Sequence, residues 1–416
     1  MANSFITASL IAGQNVGDNL TRYSGISGQL VMQATQSWTQ TPIRDGGTFS
    51  KLFAYVSANT NTGNSTITLS KSLTATTLTV TYGSTQTGIK EDTSNSVLFA
   101  NTDEANWIVF VPNTGAATSC TFNLIACQFA PTTTTDCISF LAVNSSSTVA
   151  NSAVTEYLVP SGDTVAENTA TEANCKFRIR GTFISSDFYT NISTNARTST
   201  TTFLTRKNGA NGAQSVAYTS TQTGIKEDTS NSDSLAAGDD FCYAVTTTGA
   251  GAQSLTFKHW SSSIISTNSE FIFLSGLTPG ASIAANSTAY IPPSGDVASP
   301  SATEANVQAY PQFTFTAKEF GSFVTTNTSI VLSTVFTVRD NGANGNGTVT
   351  YTAGQTGLKN DSVNTDTITS GTDEIDYSIL NNDLTGVTSV SWVGLMGVVS
   401  AAATTYISKL CLMGIG

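Results

Sequence analysis

The chain has 416 residues, of which 39% are hydrophobic, 9% aromatic and only 11% charged, and its net charge is −11. That length holds two or three domains with cores of their own, and aromatics spread along the whole chain exclude a disordered stalk. Seventeen basic residues scattered without a run exclude phosphate-driven binding of nucleic acid, and no apolar stretch reaches the roughly 18 residues of a membrane span.

At the start of the chain, "MANSFITASLIAGQNVGDNL" lacks the basic region of a secretory signal, which predicts synthesis in a cytoplasm and release by another route. The segment "SFITASLIAG" from Ser4 has look-alikes in "ISFLAVNSSS" from Ile138, "FIFLSGLTPG" from Phe271 and "TYISKLCLMGIG" from Thr405. Next comes "STITLSKSLTATTLTVTYG" (Ser65 to Gly83), where apolar and polar residues alternate as in half-buried strands. It leads into "QTGIKEDTSNS" (Gln86 to Ser96), which returns unchanged at Gln222 to Ser232 and in altered form, "QTGLKNDSVNT", at Gln355 to Thr365. Gly88, Gly224 and Gly357 are 136 and 133 residues apart; Tyr23, Tyr157 and Tyr290 are 134 and 133 apart. "ATEAN" occurs at Ala170 and Ala302, and "YLVPSGD" at Tyr157 is matched by "YIPPSGD" at Tyr290. Turn signals are dense, and no helical periodicity is sustained.

The fold expected is all-β: three tandem jelly-roll-like or β-sandwich repeats of about 134 residues. They are placed at residues 1–140, 141–272 and 273–416, with boundaries near 140 and 272. Four junction segments for three repeats leave one to spare. The C-terminal copy is expected to end the third repeat as Ile138 to Asn144 would end the first. The N-terminal strand, Ser4 to Gly13, is then the spare, free to exchange between subunits of a homo-oligomer; its alternative is the first strand of its own repeat.

Candidate chemistry is sparse. In the repeated peptide the Gly suits a turn or bulge with positive φ, and the residues after it suit a solvated loop. The functional alternative is a Ca²⁺ site built from Glu91, Asp92 and Asp103, or from Glu227, Asp228, Asp239 and Asp240, weaker in the third repeat with Asn360 and Asp361. The "NGANG" stretches at Asn208 to Gly212 and Asn341 to Gly345 read as hairpin tips, with sugar binding as the alternative. Trp107, Tyr243 and Tyr377, each four residues after an acid (Asp103, Asp239, Asp373), read as core rather than sugar platforms. Cys120, Cys127, Cys137, Cys175, Cys242 and Cys411 do not recur with the repeats and read as small buried hydrophobes. A single histidine, His259, on an alternating strand opposes a nucleophile–His pair, and changing it to Ala is expected to leave activity intact. No His and Cys cluster offers a zinc site. Carboxylates brought together from distant strands stay open, but a site copied three times is unusual for an enzyme. No catalytic, cofactor or metal residue is assigned, and a non-enzymatic role is expected.

"TFLTRKNGANGAQSVAYTSTQTGIKEDTSNSDSLAAGDDFCYAV" resembles a β-repeat of virion proteins of tailed bacteriophages and viral metagenomes, running strand, "RKNG", strand, "TG", "EDT", loop, "AGD", strand. The likeness is clearest in the second repeat, good in the third through "VRDNGANG" and "QTGLKND", and partial in the first, which lacks the NG turn and has "NTDE" in place of "AGDD". The resemblance implies a structural component of a virus particle: an outer decoration, spike or fibre that assembles with itself and with other virion proteins. It would be made in the host cytoplasm, released with the particle, and possess no cofactor; host-surface glycans are further candidate partners. The alternatives are an extracellular adhesin and a carbohydrate-binding module array.

Overall fold

The computed structural model describes residues 2–412 apart from 28–31, 116, 133–136, 145–147, 150–152, 162–169, 250–252, 267, 278–280, 298–299, 312 and 400–406. The chain is all-β. In the second repeat, eight strands run Cys137–Asn144, Thr155–Leu158, Phe183–Asn195, Thr201–Lys207, Ala210–Tyr218, Gly224–Asp228 (continued by Asp233–Leu235), Asp240–Thr247 and Leu255–Ser266. Numbered one to eight, they form two sheets ordered 1-8-3-6 and 2-7-4-5. Strand one therefore pairs with eight, two with seven, three with six and four with five: a ribbon folded over on itself, which is the jelly roll. The first and third repeats have the same two orders.

Alternation of side chains decides which face is buried. Trp107, Tyr243 and Tyr377 lie on strand seven of their repeats, all 0% exposed, between the two sheets. In the second repeat Tyr243 stacks on Trp260 at 5.0 Å and its hydroxyl lies 2.9 Å from the Leu141 carbonyl, so it belongs to the core. Cys120, Cys127, Cys175 and Cys242 are buried; the side chains of Cys137 and Cys411 lie outside the described residues.

Two features of the strands were not foreseen. Strand three carries a bulge whose non-glycine residue has positive φ in each repeat: Lys51 (+52°), Asp187 (+53°) and Glu319 (+54°). The second concerns the junctions. Cys137–Asn144 pairs antiparallel with Leu255–Ser266 and so opens the second repeat instead of closing the first. The first repeat is closed by Ser119–Pro131, the second by Leu255–Ser266 and the third by Thr388–Val398. Ala2–Gly17 pairs antiparallel with Ser119–Pro131 and is strand one of its own repeat, so of the two readings of Ser4 to Gly13 the structure has the alternative, and the spare-strand reading is corrected. The surplus strand is the C-terminal one. Ile407–Leu412 lies parallel to Ala2–Gly17, with Ala2 opposite Ile407 and Thr7 opposite Leu412, and meets Glu270–Leu277 on its other side. It fuses the first sheets of repeats one and three into one sheet of twelve strands.

Deleting residues 405–416 should thus leave all three jelly rolls folded while unprotecting one edge of strand one. Hydrogen exchange should show faster exchange confined to residues 2–7 and the neighbourhood of Phe273, with Ser119–Pro131 and the Ser275–Leu277 edge, which pairs with Gly295–Val297, still protected. General loss of protection in repeat three would contradict this assignment.

Candidate functional site

The thrice-repeated peptide works as a clasp between strands. Gly88, Gly224 and Gly357 have φ of +85°, +87° and +90°, so the turn into strand six needs glycine at this point. Just before it, the side-chain oxygen of Gln222 accepts the Thr219 N–H at 2.9 Å and the Lys226 ammonium at 2.9 Å. That ammonium also lies over the Tyr218 ring, 5.0 Å from its centre. Tyr218 Oη reaches the carbonyls of Thr190 (3.1 Å) and Gly224 (2.9 Å), joining strands three, five and six. Gln86, Lys90 and Tyr82 repeat the arrangement in the first repeat, and Gln355, Lys359 and Tyr351 in the third.

A residue that sequence reading missed completes the clasp. Asn195 donates to the carbonyls of Thr219 (3.1 Å) and Gln222 (2.9 Å) and accepts the Arg197 N–H at 3.0 Å. Asn59 and Asn327 do the same. The signal was the recurrence of Asn at the repeat spacing, hidden because its neighbours differ in every copy. Asn195→Ala should lower stability by about 2 kcal/mol, since three hydrogen bonds go and two buried-edge carbonyls lose their donor. A denaturant melt checks this, and Ser230→Ala, on the exposed side of the same loop, should cost well under half as much.

The Ca²⁺ alternative meets a geometric obstacle. Asp92 Oδ2 accepts the Thr79 N–H at 3.0 Å, and Oδ1 accepts the N–H groups of Ser94 and Asn95 at 3.2 and 3.1 Å. Asp228 and Asp361 are held the same way. Burial works against the charge on each, but the donated N–H groups outweigh it and hold all three carboxyls below the usual range. Their oxygens are spent on the fold. Asp103 and Asp239 pair with Lys71 (2.9 Å) and Lys207 (3.0 Å) beneath the hairpin tips, and Asp373 binds the Asn341 amide at 2.9 Å. The tips Asn208-Gly209 and Asn341-Gly342 have positive φ at both residues, the type I′ hairpin that composition predicts. Among the described residues no cluster of three or more His, Cys, Asp or Glu can hold a metal ion.

"YLVPSGD" and "ATEAN" also meet in the fold. Glu172 of the second binds Arg206 at 3.0 Å, and the guanidinium lies over Tyr157 of the first; Glu304, Arg339 and Tyr290 copy this in repeat three. In repeat one Gln36 and Ser70 replace the ion pair with a 2.8 Å hydrogen bond.

His259 is placed at a seam. It is 0% exposed, with Nε2 3.2 Å from Ser261 Oγ and 3.5 Å from Thr41 Oγ1 of the first repeat, and its ring packs edge-on against Tyr189. Around it, the link between strands two and three of repeat one lies on the 1-8-3-6 sheet of repeat two. The Asn191 amide donates to the Ser37 carbonyl at 3.0 Å, Lys258 Nζ lies 4.2 Å from the centre of the Trp38 ring, and Arg44 pairs with Glu227. The same link of repeat two meets repeat three: Trp392 Nε1 donates to the Lys176 carbonyl at 2.8 Å, Phe177 packs edge-on against Trp392 at 5.2 Å, and Ser391 donates to the Asn174 carbonyl. In repeat three, Tyr310 of that link packs on Phe53 of repeat one at 5.4 Å. Three seams of one kind, running one to two, two to three and three to one, close a ring. Leu124, His259 and Trp392 hold the same place in it, opposite Tyr55, Asn191 and Phe323 on strand three.

No protein-family model matches the chain, and no curated protein does. Among solved structures, it is similar to a chain of the Sulfolobus turreted icosahedral virus, at 11% identity and a TM-score of 0.19, over 94% of this chain and 85% of the other. It is also similar to the insecticidal delta-endotoxin Cry8Ea1 of Bacillus thuringiensis, at 11% identity and a TM-score of 0.16, over 61% of this chain and 60% of the toxin. Likenesses at these scores carry no weight for fold or role; the fold rests on the strand pairing.

Proposed function

We propose that the chain is a non-enzymatic structural protein of a virus particle, an outer decoration, spike or fibre component that assembles with itself and with other virion proteins. The observation that carries this reading is the closed ring of three jelly rolls, a trimer-shaped block built from one chain. The polar motifs that looked chemical support it as well, because their side chains are consumed in holding turns and strands. So does the composition, hydroxyl- and amide-rich with a net charge of −11, which keeps a wholly β surface soluble.

Immunogold labelling with antibody raised against the purified chain tests the reading on particles released by a culture carrying the gene. Label along the particle surface is the expected result. Label confined to cell envelopes would overturn it in favour of the adhesin, and glycan-array binding abolished by changes at Asn208 to Gly212 would favour the carbohydrate-binding module.

A further inference from the structure

Repeat three departs from its siblings at one end. The loops 328–333 and 382–387 lie side by side, with the Thr328 N–H donating to the Val387 carbonyl (2.9 Å) and the Val387 N–H to Thr328 Oγ1 (2.8 Å). Together they expose Ile330 (72%), Val331 (78%), Leu332 (44%), Leu384 (73%) and Val387 (36%). The matching loops in repeat one contain Asn61, Thr62, Gly63 and Asn64, and in repeat two Arg197, Thr198, Ser199 and Thr200. The jelly roll therefore does not require apolar residues there.

Most of the backbone N–H groups at this tip are satisfied from within. Asp383 Oδ2 accepts the N–H groups of Ile330, Val331 and Leu332 at 2.9, 3.0 and 3.2 Å, and Oδ1 accepts those of Thr385 and Gly386 at 3.0 and 2.8 Å. Successive N–H groups converging on one anion form a nest, here filled by the protein's own carboxylate, 3% exposed beneath the tip. N–H groups satisfied from inside lose little on leaving water, and the tip's carbonyls stay hydrated at the depth of the lipid headgroups, where apolar side chains alone enter the acyl boundary.

We infer that this tip inserts into the surface of an uncharged, zwitterionic lipid bilayer, an inference that stands apart from the proposed virion role. Three features fit a lipid surface. The tip offers on the order of 500 Å² of aliphatic surface, which marks a functional patch and is enough for interfacial binding. It stands out as a pair of loop ends, and a bilayer accepts such a tip without a matching socket. Its rim carries hydroxyl and amide side chains (Thr328, Ser333, Asn382, Thr385) and no cation, so attraction to anionic lipid is absent.

Flotation of the full chain with phosphatidylcholine vesicles tests this. Wild type should float with the vesicles, insensitively to salt, and the variant I330T/V331S/L332T/L384T should partition at least tenfold less with its melting temperature unchanged. Should that variant fail to fold, Ile330→Trp supplies a second readout: its fluorescence should be quenched by brominated phosphatidylcholine. Wild type that stays with the bulk solution, a variant that floats equally well, or a tryptophan the brominated lipid leaves untouched each overturns the inference. A wild type that self-associates without binding vesicles, with the variant monomeric, overturns it in favour of contact between copies.

Discussion

Replacing Asp376 by asparagine, the residue repeat one carries at this place as Asn106, should stabilise repeat three by about 2 kcal/mol at pH 7. Asp376 is 0% exposed on strand seven, and neither carboxyl oxygen has a hydrogen-bond partner. Burial is the main cause that pushes its pKa well above the ordinary carboxyl value, helped by the neighbouring Glu304 and Glu374 and opposed by Arg339, which is engaged with Glu304 at 2.7 Å. The sign follows from linkage. A carboxyl raised in the fold binds its proton more tightly folded than unfolded, so it costs nothing below about pH 4 and progressively more as pH rises above that. Urea melts of wild type and D376N should coincide near pH 3.5 and separate toward neutrality, with the variant more stable. A constant offset at every pH would show that shape and not charge governs the position.

His259 predicts the opposite slope. Complete burial holds its pKa down to about 3 from the ordinary 6.5, so the folded chain keeps it neutral where the unfolded chain protonates it. The stability this represents is full above pH 6.5 and is lost as pH falls toward 3, at about 1.4 kcal/mol per pH unit and roughly 5 kcal/mol in total. The seam between repeats one and two, where Thr41, Ser37 and Trp38 cover the imidazole strand, should open first. His259→Leu, borrowing the residue of repeat one, should flatten that acid limb. The difference between wild-type and variant stability followed from pH 7 to pH 3 is the measurement, and parallel curves would refute it. Repeat three needs no such correction, because Trp392 stands there.

These two residues show what a period in the sequence can and cannot convey. Spacing alone matched Trp107, Tyr243 and Tyr377, one residue past Asn106, Cys242 and Asp376, and brought out three copies of one sandwich, because each copy must bury the same alternating faces. It could not say where a copy begins. A repeat read around a circle has no marked start, and only the pairing of strand one with strand eight assigns Cys137–Asn144 to the second unit and makes Ile407–Leu412 the surplus strand. The clasp was half legible: Gln, Gly, Lys and Asp stood out, whereas Asn195 lay outside the conserved-looking letters. The ring was not legible at all. Its seams join Thr41 to His259, Phe177 to Trp392 and Tyr310 to Phe53, pairs too unlike for any pattern to connect. The bulges at Lys51, Asp187 and Glu319 carry no glycine to announce them.

The ring also changes how the assembly answers to dilution. Three separate subunits held by seams of this size would part as concentration fell, by mass action. Here the covalent continuity of the chain keeps each jelly roll beside its neighbour at an effective concentration on the order of millimolar, whatever the concentration of the chain. An individual seam can then be weak, and a substitution in one leaves the other two untouched, whereas in a homotrimer it would strike all three. That freedom accounts for a histidine, a tryptophan and a leucine at one position of the ring, and for a greasy tip at one end of the third repeat that its siblings lack.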